Sequence, residues 1–167
     1  DSLIRLDETG DPKPGLAQSW QYNADLTELT LTLRRNVTFH DGTAFNAAAV
    51  ARNFERSTAL GTRAGFATSE TMNAIAAVEL QGDDVVRLKL KAPNGQMPFL
   101  LGSQAGMMIS PASLTEGAFG ATLKPVGAGP FHVRSFESNV RTVMDRYDGY
   151  WGGAAGRPAT IEHHFVS

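Results

Sequence analysis

The sequence contains no cysteine, which excludes disulfides, zinc–thiolate sites and thiol catalysis. It also has no excess of positive charge, because 15 Lys and Arg residues stand against 17 Asp and Glu residues, a net charge of -2. We therefore expect neither a nucleic-acid partner nor a polybasic membrane patch. What is present, 42% hydrophobic and 19% charged residues over 167 positions, is typical of a globular chain of one domain or two small ones.

The common signatures of catalysis and nucleotide binding are absent as well. The sequence has no GxxxxGK[ST], no GxSxG and no HExxH pattern, so we expect no metal and no cofactor. Gly127-Ala128-Gly129 could begin a dinucleotide-binding motif. The third glycine is missing, however, and Pro130 occupies the place where the phosphate-binding helix would start.

Alternating hydrophobicity predicts strands in several segments. Leu29, Leu31 and Leu33 are spaced by two, which predicts a strand with one buried face. Apolar residues spaced by two at 78–80 and 86–90, on either side of a Gly-Asp-Asp turn, predict a hairpin. Further strands are predicted at 107–109, 131–136, 140–147 and 161–166.

The predicted helices are short. Asn46 is typical of an N-cap for a helix over 47–57, in which Val50 and Phe54 lie four residues apart on one face. Shorter helices are predicted at 68–73, 99–101 and 111–118, whereas 1–15 and 58–67 are predicted to be loops. Because strands and helices follow one another without a regular βαβ rhythm, the predicted fold class is α/β, with mixed sheets and short helices.

Adjacent His40 and Asp41 raise the question of a catalytic or metal-binding pair. Neighbouring residues on a strand point to opposite faces, and Asp41-Gly42 is by itself a favourable turn sequence. We therefore interpret this segment as a turn. His163 and His164, on the last predicted strand, are also adjacent and are not expected to converge on a metal.

Four segments, in order, resemble the extracytoplasmic solute-binding proteins of ABC importers, in the family that binds peptides and nickel complexes (family 5). They are GLAQSW at 15–20, LTLRRNVTFHDGTAFNA at 31–47, KPVGAGPF at 124–131 and RYDGYW at 146–151. The chain departs from the family pattern at Ala44, Ala128 and Tyr147, where Pro, Thr and Asn are usual. These are changes in turn chemistry and leave the resemblance intact.

The resemblance implies part of a two-lobed periplasmic-binding-protein type II fold, which closes on its ligand by a hinge motion. It implies that 12–124 form a small inserted domain and that 1–11 and 125–167 belong to the core of the first lobe. The second lobe would be absent, so the chain is expected to be a fragment. The implied function is capture of a peptide-like or similar small solute outside the membrane, for import through ABC permease subunits. Nickel-chelate, opine and sugar ligands, and a lipid anchor, remain open.

Candidate ligand-binding residues are Arg63, Phe66 and Gln104. An Arg and an aromatic residue three positions apart in a loop suit an anionic, planar or peptide-like ligand, and the resemblance implies that this loop and Gln104 border the cleft. The alternative is a solvated Arg63 and a Phe66 that plugs the domain. Two rival functions are a small secreted hydrolase that uses His40 and Asp41, for which no nucleophile is found, and an interaction domain that docks to the permease without a ligand.

Overall fold

The computed structural model describes residues 1–114 and 126–165, apart from the Phe66 side chain. Its strands are β1 (Ile4–Leu6), β2 (Pro12–Pro14), β3 (Ala17–Tyr22), β4 (Glu28–Leu33), β5 (Ile75–Gln81), β6 (Val85–Leu90), β7 (Phe131–Glu137), β8 (Arg141–Arg146) and β9 (Thr160–His164). Its α-helices are α1 (Ala47–Leu60), α2 (Phe66–Ala74) and α3 (Met97–Leu100). The predicted α/β class with short helices is confirmed, whereas the sheets, predicted to be mixed, are antiparallel in every described strand pair.

A four-stranded sheet in the order β3-β4-β6-β5 carries the main core. As the alternation predicts, Leu31 of β4 and Leu88 of β6 are fully buried, and they share one hydrophobic cluster with Val50 and Phe54 of α1. The period-2 pattern of the strands and the four-residue spacing of the helix therefore meet in a single core.

Helix α1 begins where the sequence predicts. The side chain of Asn46 accepts a hydrogen bond from the backbone N–H of Ala49 at 2.9 Å, which satisfies one of the free donors of the first turn. The prediction of a loop over 58–67 is wrong, because α1 continues to Leu60, a 3-10 turn follows at Gly61–Ala64, and α2 starts at Phe66. The small residues of this segment are compatible with helix, and only two glycines with positive φ interrupt it.

Three other local predictions are corrected. Residues 1–15 are not all loop, since β1 and β2 pair as a hairpin. The two prolines of β2 argue against a strand in the sequence, but proline is tolerated in a strand that, like β2, has a single paired neighbour. The buried strand predicted at 107–109 is reduced to one isolated bridge between Met107 and Ser2, and Met107 is 57% exposed. The helix predicted at 111–118 is a 3-10 turn over Pro111–Ser113, and residues 115–118 lie outside the described part.

The C-terminal strands form a second sheet in the order β7-β8-β9. After β8 the chain turns through Trp151, whose ring is packed against the main core between two arginines. The guanidinium carbon of Arg34 lies 4.2 Å, and that of Arg5 4.8 Å, from the ring centroid, and the indole N–H donates to Asp1 Oδ2 at 2.9 Å. Trp151 is thus a packing residue. No helix among the described residues is long and apolar enough to cross a membrane.

Candidate functional site

The first part of the candidate site is the junction between α1 and α2. Arg63 lies in the 3-10 turn Gly61–Ala64 with its side chain exposed. Gly65 follows with φ 97° and ψ 144°, a backbone conformation almost restricted to glycine. Its N–H donates to the carbonyl of Thr62 at 3.1 Å, and its carbonyl accepts from the N–H of Ser69 at 2.9 Å. Gly65 therefore sets the angle between the 3-10 turn that carries Arg63 and helix α2.

The second part is the 3-10 turn Gln104–Gly106, which follows α3. A Cβ atom on Gly106 would lie 1.8 Å from the carbonyl oxygen of Leu101, so only glycine fits there. The N–H of Leu3 donates to the carbonyl of Gly106 at 2.8 Å, which attaches the turn to the N-terminal segment. These contacts fix the backbone of the turn that carries Gln104, and the Gln104 side chain is exposed.

The fold brings these two segments together, although they are far apart in the sequence. Gln104 Oε1 lies 3.5 Å from the position that a Cβ atom would occupy on Gly65. Gln104 therefore lies beside Gly65, the residue two positions after Arg63 in the chain. Phe66 is the first residue of α2, and its side chain lies outside the described part.

One exposed apolar residue beside Gln104 was not expected from the sequence. Met107 follows the 3-10 turn, and more than half of its side-chain surface is open to solvent. The neighbouring Met108 is buried. The sequence does not indicate which of two adjacent methionines faces outward, so only the local turn geometry reveals that Met107 is exposed.

Three exposed residues in these segments carry polar or polarisable groups: a cation at Arg63, an amide that both donates and accepts at Gln104, and a thioether at Met107. Within residues 1–114 and 126–165, no group of three or more His, Cys, Asp or Glu residues is placed to hold a metal ion. Arginine and amide side chains are typical groups for binding polar or anionic molecules.

His40 and Asp41, the residues of the hydrolase alternative, do not converge. Asp41 Oδ1 accepts from the N–H of Thr43 at 2.9 Å, which makes the predicted turn. The His40 Nε2–H donates instead to the carbonyl of Gly129 at 2.9 Å, and the His40 ring lies 5.8 Å from that of His132 between centroids. Burial is the largest cause that lowers the pKa of His40. This histidine joins two chain segments.

The family model described as "Bacterial extracellular solute-binding proteins, family 5 Middle" matches residues 11–167. The chain belongs to this family. It is 34% identical over 143 residues to the glutathione-binding protein GsiB of Pectobacterium atrosepticum, a match that covers 86% of this chain and 27% of that protein. The chain thus spans less than a third of the length of this relative.

Solved structures agree with the family. NikA from Brucella suis, in complex with Fe(III)-EDTA, superposes with a TM-score of 0.86 at 28% identity, over 99% of this chain and 33% of that chain. An ABC transporter substrate-binding protein from Sinorhizobium meliloti gives a TM-score of 0.85 at 28% identity with the same coverage. The expected periplasmic-binding-protein fold is confirmed, and these relatives are binding proteins.

Proposed function

We propose that this chain is part of a longer solute-binding component of an ABC importer, which captures a peptide-like or similar small solute outside the cytoplasmic membrane and delivers it to permease subunits. Membership of the solute-binding family supports this proposal. The exposed guanidinium of Arg63 and the exposed amide of Gln104 also support it, because both groups can hydrogen-bond to a polar ligand. The partners are a small-molecule or peptide ligand and the membrane subunits of the importer.

The proposed division of the chain follows the same family pattern. Residues 12–124 form the small inserted domain, and 1–11 with 125–167 belong to the core of the first lobe. The boundary near 125 is supported by the four-stranded sheet, which precedes it, and the sheet β7-β8-β9, which follows it, whereas the β1-β2 pair crosses the boundary at 11–12. The two parts pack tightly, since Leu3 and Ala128 share the hydrophobic cluster of Leu31. We therefore propose that they move as one lobe when the cleft closes.

Arg63, Phe66 and Gln104 are the proposed ligand contacts, and Met107 joins them as an apolar neighbour. The observation that supports this proposal is the approach of Gln104 to Gly65, which follows Arg63 by two residues. A guanidinium binds a carboxylate with two parallel hydrogen bonds. The ligand class that fits best therefore carries a carboxylate, and glutathione and short peptides both have one.

The test uses the longer protein expressed from the source gene. Calorimetric titration with glutathione and with a defined set of di- to pentapeptides should reveal a ligand. Arg63→Ala should weaken its binding by about tenfold to a hundredfold, as expected for loss of a charge-assisted hydrogen bond. Phe66→Ala and Gln104→Ala should weaken it less.

Arg52→Ala provides the matched control, because Arg52 is an exposed arginine of α1 whose partner is Glu55, at 3.4 Å. It should leave the affinity unchanged. Equal affinity in Arg63→Ala, Phe66→Ala and Gln104→Ala would show that this surface does not touch the ligand. Hydrolysis of a peptide or an ester by the longer protein would favour the enzyme alternative.

A further inference from the structure

A cavity of about 420 Å³ lies at one end of the main sheet, within the range of roughly 300–1,000 Å³ that is usual for small-molecule sites. Its wall consists of residues 34–36 after β4, Phe45 and Asn46 before α1, and Asp83 and Asp84 in the turn between β5 and β6. Phe45 is almost fully buried and supplies an apolar wall. None of the proposed ligand contacts lines this cavity, so an inference about it is independent of the proposed function.

The cavity has a cation on one strand end and a carboxylate on the other. Strands β4 and β6 are antiparallel, and beyond their named pairs the N–H of Leu33 still donates to the carbonyl of Asp84 at 2.7 Å. One step further, the same register places Arg34 opposite Asp83, on one side of the sheet. These two residues line the same cavity, and they form no ion pair with each other in the part of the chain that the structure describes.

The guanidinium of Arg34 is held in place without use of its terminal nitrogens. Its Nε–H donates to the carbonyl of Gly15 at 2.7 Å, and its central carbon lies 4.2 Å from the centroid of the Trp151 ring. Among residues 1–114 and 126–165, no acceptor is bonded to either Nη atom. The two Nη groups of an arginine can donate to one carboxylate, and a side chain that is already fixed loses less conformational entropy on binding.

The charges around the cavity define the class of ligand that fits. Arg35 Nε and Asp84 Oδ2 form an ion pair at 2.6 Å and neutralise each other. Asp83 has no ion-pair partner within the described residues, while its backbone carbonyl accepts from the N–H of Ala47 at 2.8 Å and fixes the turn. One cation and one carboxylate therefore remain, so a simple anion would be repelled by the carboxylate and a simple cation by the guanidinium.

We propose that this cavity binds a small zwitterion, such as a free α-amino acid, with the ligand carboxylate on Arg34 and the ligand ammonium on Asp83. The side chain of the amino acid would lie against Phe45. All of these groups belong to the 167-residue chain, so binding here needs no second lobe and no closure of a cleft.

Nuclear magnetic resonance titration of the 167-residue chain with glycine, the smallest such zwitterion, tests the proposal. Backbone amide shifts of residues 34–36 and 83–84 should change and saturate with a dissociation constant of about 10 millimolar or lower. Acetate and methylammonium each carry one of the two charges, so each should bind about fivefold more weakly or worse.

Arg34→Ala and Asp83→Asn should each weaken glycine binding by about tenfold, as expected for loss of one charge-assisted hydrogen bond. Asp83→Asn keeps the backbone carbonyl that holds Ala47, so it remains a valid test if Arg34→Ala fails to fold. The matched control is Asp25→Asn, an exposed aspartate in the turn between β3 and β4, which should leave the affinity unchanged.

Three results would overturn the proposal. The first is the absence of shift changes at 34–36 and 83–84 in about 50 millimolar glycine. The second is equal affinity for glycine and acetate, which would make the cavity a simple anion site. The third is a set of shift changes confined to 61–66 and 104–107, which would assign glycine to the candidate ligand contacts and would leave the proposed function intact.

Discussion

The Nε2–H of His40 donates a hydrogen bond to the carbonyl oxygen of Gly129 at 2.9 Å. The backbone N–H of His40 donates to the carbonyl of Gly127 at 2.9 Å, so this single residue attaches the glycine-rich segment 126–130 to the turn that precedes α1. Only an imidazole with its proton on Nε2 makes the side-chain bond, because a carbonyl oxygen cannot donate. The histidine thus links the two parts of the chain that the family pattern separates.

Burial of this histidine makes the stability of the chain depend on pH. The pKa of His40 is lowered from its ordinary value of 6.5, first by burial and further by the nearby His132, against the opposing effects of the Gly129 carbonyl and Asp41. The unfolded chain therefore binds this proton more tightly than the folded one. The contribution of His40 to stability should fall as pH drops below about 6.5 and become constant below the lowered pKa.

Thermal unfolding at pH 7.5 and pH 5.5 measures this effect, since most carboxylates stay ionised at both values. Tm should be lower at pH 5.5, and His40→Gln should reduce the difference while it preserves a donor for the Gly129 carbonyl. His163→Gln is the control, because His163 is exposed on β9. An equal pH difference in the parent chain and in His40→Gln would contradict the assignment.

Gly65 should be intolerant of a side chain. Its φ of 97° with ψ of 144° is a conformation that costs other residues about 1–3 kcal/mol, so Gly65→Ala should lower the free energy of unfolding by that amount. Urea denaturation of the 167-residue chain gives the value. Gly95→Ala is the matched control, because a Cβ atom there would meet Leu26 Cδ1 at an ordinary 3.7 Å. Similar losses in both variants would rule out backbone strain at Gly65.

The main core should depend strongly on Leu31. This residue of β4 is fully buried among apolar side chains, and truncation of such a leucine leaves a cavity as well as removing apolar contact. Leu31→Ala should lower the free energy of unfolding by about 2–5 kcal/mol. Thr30→Ala, on the opposite face of the same strand, should cost about 1 kcal/mol or less. If the two variants were equally stable, β4 would not be part of the core.

The sequence predicts the elements whose patterns are local and regular. Leu29, Leu31 and Leu33 alternate strictly, and Asn46 precedes a helix-compatible run, so β4 and the start of α1 follow from spacing alone. The pairing of β1 with β2 does not, because Pro12 and Pro14 disfavour a strand and the pairing depends on a partner segment that no local pattern indicates.

The candidate surface is harder to predict than the fold. Arg63 and Gln104 are suggested by residue type and by family resemblance, but no pattern indicates that Gln104 lies beside Gly65. That proximity arises from the packing of α2 against the turn after α3, a tertiary relationship with no local signal. The exposure of Met107 has the same origin, since its neighbour Met108 has the same chemistry and is buried.

The most direct test of the account is a pair of calorimetric titrations, with glutathione and the same peptide set, on the longer protein and on the 167-residue chain. If two lobes share the contacts of a ligand bound with micromolar affinity, about −8 kcal/mol, one lobe alone retains about −4 kcal/mol, a millimolar dissociation constant. We therefore predict a dissociation constant of about 1 micromolar or lower for the longer protein, and only weak binding by the chain alone. A dissociation constant below about 10 micromolar for the 167-residue chain would contradict the requirement for two lobes, and no binding by the longer protein would contradict the proposed function.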